Sequence, residues 1–355
     1  LAAPQHPYTR SLIAASDLNT TRTSTSTADA TAPGDPGDMP ELAVTPAIPE
    51  RSAVLVPHEH LQIPHEQRIF LPAAAEALIE VRSLSRDYHR GASPFGGGPV
   101  VSALRDVSFD VVAGQRLGIV GESGSGKSTL LRMLCALDTP TSGSVTMSGQ
   151  RISGVAERRL RHFRSQVQMV FQDPGGSLDP RMRVEQIVAE PLSGVDRATA
   201  KDRVIQALTA VGLEPDVLRR HPHQFSGGQR QRISIARALI TRPKVLIADE
   251  AVSALDVSVR AEVLALLDSL VADYNLTLIF VSHDLGVIRR SCDTFAVLSK
   301  GRIVEAGPTE EVYASPRHNY TRQLVAAAQT LTDGMHSAAG MSSAAGLHRV
   351  AGGDR

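Results

Sequence analysis

The residues with the most recognisable chemistry form a glycine-rich stretch in the first half of the chain. Residues 121–128 fit the spacing G-x-x-x-x-G-K-[ST]. Glycines at this spacing let backbone N–H groups surround a polyphosphate, and the helix that follows adds the positive end of its dipole. An apolar run at 117–120 precedes the stretch and leucines at helical spacing follow it. This pattern predicts a strand, a phosphate-binding loop and a helix.

Two side chains at the end of this loop have specific roles in phosphate chemistry. We expect Lys127 to reach the β and γ phosphates of a nucleotide and Ser128 to bind Mg²⁺. The candidate nucleotide-binding residues of the loop are Gly121, Glu122, Ser123, Gly124, Ser125, Gly126, Lys127, Ser128 and Thr129. Kinases, GTPases, helicases and transport ATPases all use such a loop, so it does not choose between these classes.

A second stretch predicts a buried strand that ends in two carboxylates. Residues 244–250 read KVLIADE. Asp249 is suited to hold Mg²⁺ through water, and Glu250 to orient or deprotonate the water that attacks a phosphate. An acidic pair in this place can also be a structural cap. Its occurrence together with the phosphate loop favours a catalytic role.

A third stretch predicts another anion site. Residues 224–239 read QFSGGQRQRISIARAL, so that Ser226, Gly227 and Gly228 precede an amphipathic helix. A hydroxyl and bare backbone donors at a helix start can bind an anion. One phosphate chain cannot lie against both sites if they are on opposite sides of one domain. We therefore expect the second site to serve a nucleotide bound by another domain.

The order of these stretches resembles the motif set of ABC transporter ATPases. The matching motifs are residues 121–129, FSGGQ at 225–229, the pair Asp249 and Glu250, SALD at 253–256, and His283 in VSHD. The resemblance covers residues 77–305 and implies an α/β fold of the P-loop NTPase type. Such a fold has a parallel core sheet, an antiparallel β subdomain and a helical subdomain, here at about 155–240. The resemblance also implies ATP and Mg²⁺ as cofactors, and two domains that enclose two ATP molecules.

The resemblance assigns roles to three residues outside the loops described above. Gln172, in MVFQDP, resembles the glutamine that senses Mg²⁺ and links the nucleotide to the membrane partner. His283 resembles the histidine that contacts the γ-phosphate. Tyr88 resembles the aromatic residue that stacks on adenine, although a tyrosine before a glycine-rich turn is also compatible with an ordinary surface position.

The complete set of implied site residues then divides by role. The implied catalytic residues are Glu250, His283 and Gln172, and the implied metal ligands are Ser128, Gln172 and Asp249. Besides the phosphate loop, the implied nucleotide-binding residues are Tyr88, Asp249, Asp256, Phe225, Ser226, Gly227, Gly228 and Gln229. Phe225 stands where the family usually has leucine, which leaves the donor residues intact.

Two further segments resemble one branch of the family, the oligopeptide and dipeptide importer ATPases. These are SLDPRMRVEQIVAEPL at 177–192 and ASPRHNYTRQLVAAA at 314–328, with Asp179 and Asn319 where the family usually has asparagine and proline. The resemblance implies peptide import powered by ATP hydrolysis. It implies two transmembrane permease subunits, a second ATPase half and an extracytoplasmic substrate-binding protein as partners. It also implies a peripheral position at the cytoplasmic face of the membrane.

The C-terminal segment of this branch occurs twice in the chain. Residues 4–15 read PQHPYTRSLIAA and residues 316–327 read PRHNYTRQLVAA, with eight identical positions in register. We expect 1–15 to be the extension of a preceding ATPase domain, 16–76 a largely flexible linker, 306–330 the second extension and 331–355 a disordered tail. The chain would then be the second, F-type half of a fused subunit with two ATPases.

The balance of charged residues argues against a nucleic-acid-binding protein. Lysine plus arginine and aspartate plus glutamate number 37 each, so no long-range positive field favours nucleic acid, and we expect no nucleic-acid partner. The basic run ERRLRHFR at 157–164 is more typical of a solvated helix face.

The two cysteines of the chain, Cys135 and Cys292, are far apart and lack metal-ligand spacing. We therefore predict that both are core residues, and that this chain holds no iron–sulfur centre.

Three alternative functions can be compared with the sequence: an ATPase of DNA repair, a translation factor and a non-catalytic regulatory half. A soluble ABC ATPase of DNA repair would separate the phosphate loop and the FSGGQ motif by a long coiled coil, and no heptad run is present. A translation factor would lack the two importer-like segments. A non-catalytic regulatory half would not need Lys127, Asp249, Glu250 and His283. The sequence does not name the cargo, so nickel or another small solute stays possible beside peptides.

Overall fold

The computed structural model describes residues 76–89, 100–192 and 194–329. The predictions for residues 1–15, for the linker up to residue 75 and for the tail at 331–355 lie outside these residues. Ten strands are described: β1 Ala77–His89, β2 Val100–Val112, β3 Arg116–Val120, β4 Ser142–Met147, β5 Gln150–Arg151, β6 Val167–Val170, β7 Val245–Asp249, β8 Thr277–Ser282, β9 Thr294–Ser299 and β10 Arg302–Pro308.

The described helices alternate with the strands of the larger sheet. They are α1 Lys127–Leu134, α2 Leu160–Gln166, α3 Pro174–Ser177, α4 Val184–Ala189, α5 Arg197–Ala210, α6 Gly227–Leu239, α7 Val257–Asp273, α8 Leu285–Ser291, α9 Thr309–Ala314 and α10 over 319–329. Three 3₁₀ turns cover Glu157–Arg159, Pro215–Arg219 and Pro222–Gln224. Among the described residues, none of the helices has the length and the apolar content needed to span a lipid bilayer.

The larger sheet has six strands in the order β10-β9-β3-β8-β7-β6. The neighbours from β9 to β6 pair in parallel, and only β10 pairs antiparallel to β9. All six residues of β8 are buried, which is typical of a strand covered by helices on both faces. The carboxyl ends of β3 and β7 lie on either side of β8 and face the same edge of the sheet. This arrangement places the phosphate loop and the carboxylate pair at one end of the fold.

A four-stranded antiparallel sheet, in the order β2-β1-β4-β5, lies beside the larger one. The antiparallel β subdomain that the family resemblance implies is therefore present. Two of its strands, β4 and β5, follow α1 in the chain and close the sheet beside β1. The range 155–240, expected to be helical, also contains β6, which pairs with β7 in the larger sheet. A short strand between helices gives too little periodicity to be separated from them in the sequence.

The larger sheet has a hydrophobic core on each of its two faces. Leu130, Leu131 and Leu134 of α1 pack in the core that also contains residues of the antiparallel sheet. Ile233 and Ile235 of α6 pack in the other core, together with residues of α4, α5, α7 and α8. The helix after the phosphate loop and the helix after the FSGGQ motif therefore lie on opposite faces of the sheet.

The long helices begin at side-chain caps. Asp196 accepts the Thr199 N–H at 3.0 Å at the start of α5, and Asp256 accepts the Val259 N–H at 3.1 Å at the start of α7. A carboxylate at this position satisfies a backbone donor that has no partner within the helix. The two helices, Arg197–Ala210 and Val257–Asp273, each begin at the residue directly after the cap.

Both cysteines lie in the protein core. Cys135 and Cys292 are buried free thiols, as the sequence predicts. Burial raises the pKa of Cys135 to about 12 and also raises the pKa of Cys292. A thiol with a raised pKa forms little thiolate at neutral pH, so neither residue is suited to nucleophilic or redox chemistry.

Candidate functional site

The phosphate loop joins the end of β3 to α1, and two of its glycines have no room for a side chain. A Cβ on Gly121 would lie 2.2 Å from the Leu298 carbonyl oxygen, and one on Gly126 would lie 2.5 Å from the Ala103 carbonyl oxygen. Gly126 also has a φ of 110°, and it begins α1 with no side-chain cap. Because no side chain covers them, the first N–H groups of the helix are available to an anion.

Lys127 is held inside this loop. Its side chain is buried, and Nζ donates to the carbonyl oxygens of Gly121 at 2.7 Å and Glu122 at 2.9 Å. Burial lowers the pKa of Lys127, whereas the negative charges of Glu250, Asp249 and Glu122 act in the opposite direction. A buried ammonium group that donates to loop carbonyls can exchange one of them for a phosphate oxygen, whose negative charge would stabilise the charged lysine further.

A buried serine supports the same interpretation. Among the described residues, the Ser125 hydroxyl is a buried polar atom without a hydrogen-bond partner. An orphaned hydroxyl at this depth costs free energy unless a ligand or water satisfies it. The residues of the loop therefore fit a bound phosphate chain.

The carboxylate pair lies at the end of β7, as the sequence predicts. Burial raises the pKa of Asp249, and the charge of Glu250 raises it further, against the opposite effects of Lys127 and Arg132. Glu250 has a φ of 45°, unusual for a side-chain-bearing residue, and its N–H donates to the Val281 carbonyl at 2.9 Å.

His283 lies directly beside Glu250. Its Nδ1 is 3.3 Å from Glu250 Oε1. The Glu250 side chain is 17% exposed and that of His283 is 61% exposed. The pair thus presents a carboxylate and an imidazole at the edge of the sheet where the phosphate loop ends.

Ser253 connects Gln172, the third predicted catalytic residue, to Glu250 of the pair Glu250 and His283. The Gln172 side-chain amide lies 3.5 Å from Ser253 Oγ, at the outer limit of hydrogen bonding, and Ser253 Oγ donates to the Glu250 carbonyl at 3.0 Å. Ser253 is not among the site residues that the sequence predicts. Its place at the start of the SALD motif, three residues after Glu250, is the sequence feature that indicates a position near the carboxylate pair.

The FSGGQ motif forms the start of α6. Ser226 Oγ accepts the Gln229 N–H at 3.2 Å, and Gln229 Oε1 accepts the Ser226 N–H at 3.1 Å, which is a capping box. A Cβ on Gly228 would lie 2.4 Å from Val259 Cγ1, so glycine is needed where α6 packs against α7. The Phe225 side chain is buried in the core, and its carbonyl accepts from Arg230 at 2.7 Å.

The structure does not bring the FSGGQ motif to the phosphate loop. Among the described residues, no hydrogen bond joins residues 225–229 to residues 121–129. The two segments begin helices on opposite faces of the sheet.

Two further predicted site residues make structural contacts of their own. The Tyr88 hydroxyl donates to Asp138 Oδ2 at 2.8 Å, and the Arg86 guanidinium lies 4.6 Å from the centre of the Tyr88 ring. Asp256 caps α7, and hydrogen bonds from the Val259 N–H and the Ser258 hydroxyl lower its pKa. Neither residue contacts the phosphate loop through any described hydrogen bond, so their roles at a nucleotide stay predictions.

A magnesium site at this place would depend on the nucleotide. Ser128 lies in the first turn of α1 and Asp249 ends β7, so each offers an oxygen suited to Mg²⁺. Within the described residues there is no group of three or more histidine, cysteine, aspartate or glutamate side chains that could hold a metal ion. Phosphate oxygens and water would have to supply the other ligands.

The fold and the site together define a nucleotide-binding cassette of the P-loop type. A family model described as "ABC transporter" matches residues 104–253, and one described as "Oligopeptide/dipeptide transporter, C-terminal region" matches residues 304–349. The first match covers β3, the phosphate loop and the carboxylate pair, and the second covers α9 and α10.

Known proteins resemble most of the chain in sequence. The di/tripeptide transport ATP-binding protein DppF of Pseudomonas aeruginosa is 44% identical over 259 residues, which cover 72% of this chain and 80% of that protein. The glutathione import ATP-binding protein GsiA of Pectobacterium atrosepticum is 41% identical over 335 residues, covering 92% of this chain and 50% of that protein. The chain therefore spans about half the length of the GsiA proteins it matches.

Solved structures show the same fold. The ATP-binding cassette MJ0796, as a dimer bound to ADP and Pi, superposes with a TM-score of 0.58 at 27% identity, over 65% of this chain and 98% of that one. The cbiO1 protein of Clostridium perfringens gives a TM-score of 0.59 at 26% identity, over 73% of this chain and 99% of that one. The chain belongs to the ATP-binding subunits of ABC transporters that carry the oligopeptide/dipeptide C-terminal region. The predicted fold class and family are confirmed.

Two glycines of the phosphate loop allow a matched test of the site. Gly124 and Gly126 both have positive φ, but the space at Gly124 is open whereas a Cβ on Gly126 meets the Ala103 carbonyl. Gly124→Ala should lower the free energy of unfolding by about 1 kcal/mol through backbone strain alone. Gly126→Ala should cost at least about twice as much and weaken ATP binding, because the start of α1 must shift. Urea denaturation and ATP titration measure both effects, and equal effects of the two substitutions would contradict this account of the loop.

Proposed function

We propose that the chain is an ATP-hydrolysing subunit that powers import of peptides across the cytoplasmic membrane. The observation that carries the proposal is the site at one edge of the sheet. There the buried Lys127 is the first residue of a helix that has no side-chain cap, and Asp249, Glu250 and His283 lie at the ends of neighbouring strands. The match to the oligopeptide/dipeptide C-terminal region supports peptides as the cargo.

Each residue of the site has a proposed part in hydrolysis. The loop at 121–129 binds the phosphate chain through the backbone N–H groups at the start of α1, and Lys127 exchanges a loop carbonyl for a phosphate oxygen. Glu250 accepts a proton from the attacking water, and its neighbour His283 contacts the terminal phosphate. Mg²⁺, held by Ser128, Asp249 and Gln172, supplies charge neutralisation when bound.

The nucleotide site is proposed to be shared between two ATPase domains. Ser226, Gly227, Gly228 and Gln229 lie on the opposite face of the sheet from α1, so they are suited to a nucleotide bound by a second domain. The helix start at Ser226 would bind the terminal phosphate from the far side and stabilise the charge that develops there. Closure of the two domains would then be coupled to ATP, and reopening to hydrolysis.

We propose that the second ATPase half belongs to the same polypeptide. The support is the repeat itself, in which eight of twelve residues at 4–15 recur at 316–327. The GsiA relatives, which are about twice as long as the matched part, are compatible with such an arrangement. Two transmembrane permease subunits and an extracytoplasmic binding protein would complete the importer. The chain itself would lie peripherally at the cytoplasmic face of the membrane.

Replacement of the proposed base tests the catalytic assignment. Glu250→Gln should lower kcat for ATP by about 10²- to 10⁴-fold, because the amide cannot accept the proton from water. ATP binding should remain, and ATP should hold the protein in its closed dimeric form. Steady-state ATPase assays and size-exclusion chromatography with ATP measure the two effects. Rapid turnover by this variant would remove Glu250 from its role.

Uptake in cells tests the cargo. Cells whose only copy carries Lys127→Ala should lose ATP-dependent uptake of labelled di- and tripeptides, glutathione among them, while uptake of labelled nickel stays unchanged. The opposite pattern would favour a metal importer. A chain that purifies from cells with full ATPase activity and without any membrane protein would favour a soluble ATPase instead.

A further inference from the structure

The C-terminal extension reaches the phosphate loop. Tyr320 lies in the first turn of α10, and its hydroxyl oxygen accepts a hydrogen bond from the Glu122 N–H at 2.9 Å, across 198 positions of sequence. Glu122 is the second residue of the phosphate loop, and it is exposed. A residue far outside the nucleotide-binding motifs therefore holds the backbone of the loop.

One planar peptide unit connects Tyr320 to Lys127 of the phosphate loop. The Glu122 N–H belongs to the same peptide unit as the Gly121 carbonyl, so the two groups cannot rotate independently. The Gly121 carbonyl accepts a hydrogen bond from Lys127 Nζ at 2.7 Å. Rotation of this unit would break the bonds at both ends, so the Tyr320 hydroxyl fixes the orientation of a group that holds Lys127.

The extension is fixed firmly enough to position that hydroxyl. Glu305 of β10 is 9% exposed, and its two carboxylate oxygens accept the N–H groups of Arg317 at 2.7 Å and His318 at 2.9 Å. Thr321 is fully buried, and Val325 of α10 packs in the core beside the larger sheet. Contacts with the sheet and its core on both sides of Tyr320 therefore hold the first turn of α10 in place.

A neighbouring histidine orders the same turn. His318 Nδ1 accepts the Tyr320 N–H at 3.2 Å. Burial raises the pKa of Tyr320, an effect that the hydrogen bond from Glu122 opposes. The hydroxyl is therefore neutral at ordinary pH, with oxygen lone pairs free to accept.

The internal repeat contains the residues of this contact. His318 and Tyr320 occupy the positions of His6 and Tyr8 in the first copy, and both residue types are among the eight identities. Asn319, which makes none of the described contacts, stands where the first copy has Pro7. The repeat thus keeps the two residues that set the geometry of the contact.

We propose that Tyr320 is a positioning residue for nucleotide binding, since its hydroxyl fixes the peptide unit between Gly121 and Glu122. The affinity of the phosphate loop for ATP then depends on a seated C-terminal extension. The exposed residues 122–124 would otherwise have to be ordered when ATP binds, at a cost in conformational entropy. The inference rests on the proposed function, because it takes ATP as the ligand.

Two tyrosine variants of the full chain test the proposal. Tyr320→Phe removes only the hydroxyl. It should raise the KM and Kd for ATP by about 3- to 10-fold and leave kcat unchanged, because this factor corresponds to the free energy of one hydrogen bond. It should also speed hydrogen exchange of amides in 121–126. Tyr313→Phe is the matched control, because Tyr313 packs against the same core and faces Arg289 rather than the loop. That variant should leave ATP affinity and the exchange of 121–126 unchanged.

A second substitution isolates the contact from general effects on folding. Glu122→Pro removes the donated N–H, so Tyr320→Phe should have no further effect on ATP affinity in that background.

Equal ATP affinity of Tyr320→Phe and Tyr313→Phe would overturn the proposal, as would tighter binding by Tyr320→Phe. A wild-type chain that fails to bind ATP would overturn the proposed function instead, and this result is distinguishable because it appears before any substitution is made.

Discussion

The six-stranded sheet separates the start of α1 from the start of α6, the two helix starts proposed to bind phosphate, and this separation limits how the proposed site can work. The phosphate loop leads into α1, whose leucines pack on one face, whereas Ser226 leads into α6, whose isoleucines pack on the other. Both helices depend on buried apolar contacts for their stability. Neither helix start can move to the other face without loss of these contacts, so a nucleotide that uses both must lie between two domains.

The charges at the edge of the sheet are consistent with this arrangement. Lys127 bonds to carbonyl groups of its own loop and lies close enough to Asp249 and Glu250 for their charges to counteract its desolvation. Partly buried groups of opposite charge are stabilised together, and removal of one leaves the others uncompensated. The site therefore holds its cation and its carboxylates in place before a ligand binds. The C-terminal extension contributes to this order through Tyr320, which bonds to the same loop from outside the ATPase motifs.

Much of the site could be predicted from local sequence. The glycines of the phosphate loop, the strand before Asp249 and the serine at the start of α6 have short-range causes: steric space, burial and helix capping. The Tyr320–Glu122 contact could not be predicted, because it joins segments 198 positions apart and depends on how α10 packs on the sheet. Strand β6 lies between helices and is too short for a periodic signal. Phe225, predicted at the nucleotide, places its side chain in the core, which only the packing of α6 reveals.

Complementation between two inactive variants tests the shared site most directly. Lys127→Ala removes the phosphate-loop cation and Ser226→Arg blocks the start of α6, so each variant alone should lack ATPase activity. When two chains that each carry only this ATPase half are mixed, a mixed pair should contain one intact site, made from the phosphate loop of one chain and the α6 start of the other. Recovery of ATPase activity on mixing is the predicted result. Two folded, inactive variants that pair but recover no activity would contradict the account. Full ATPase activity of a strict monomer that carries only this one ATPase half would also contradict it.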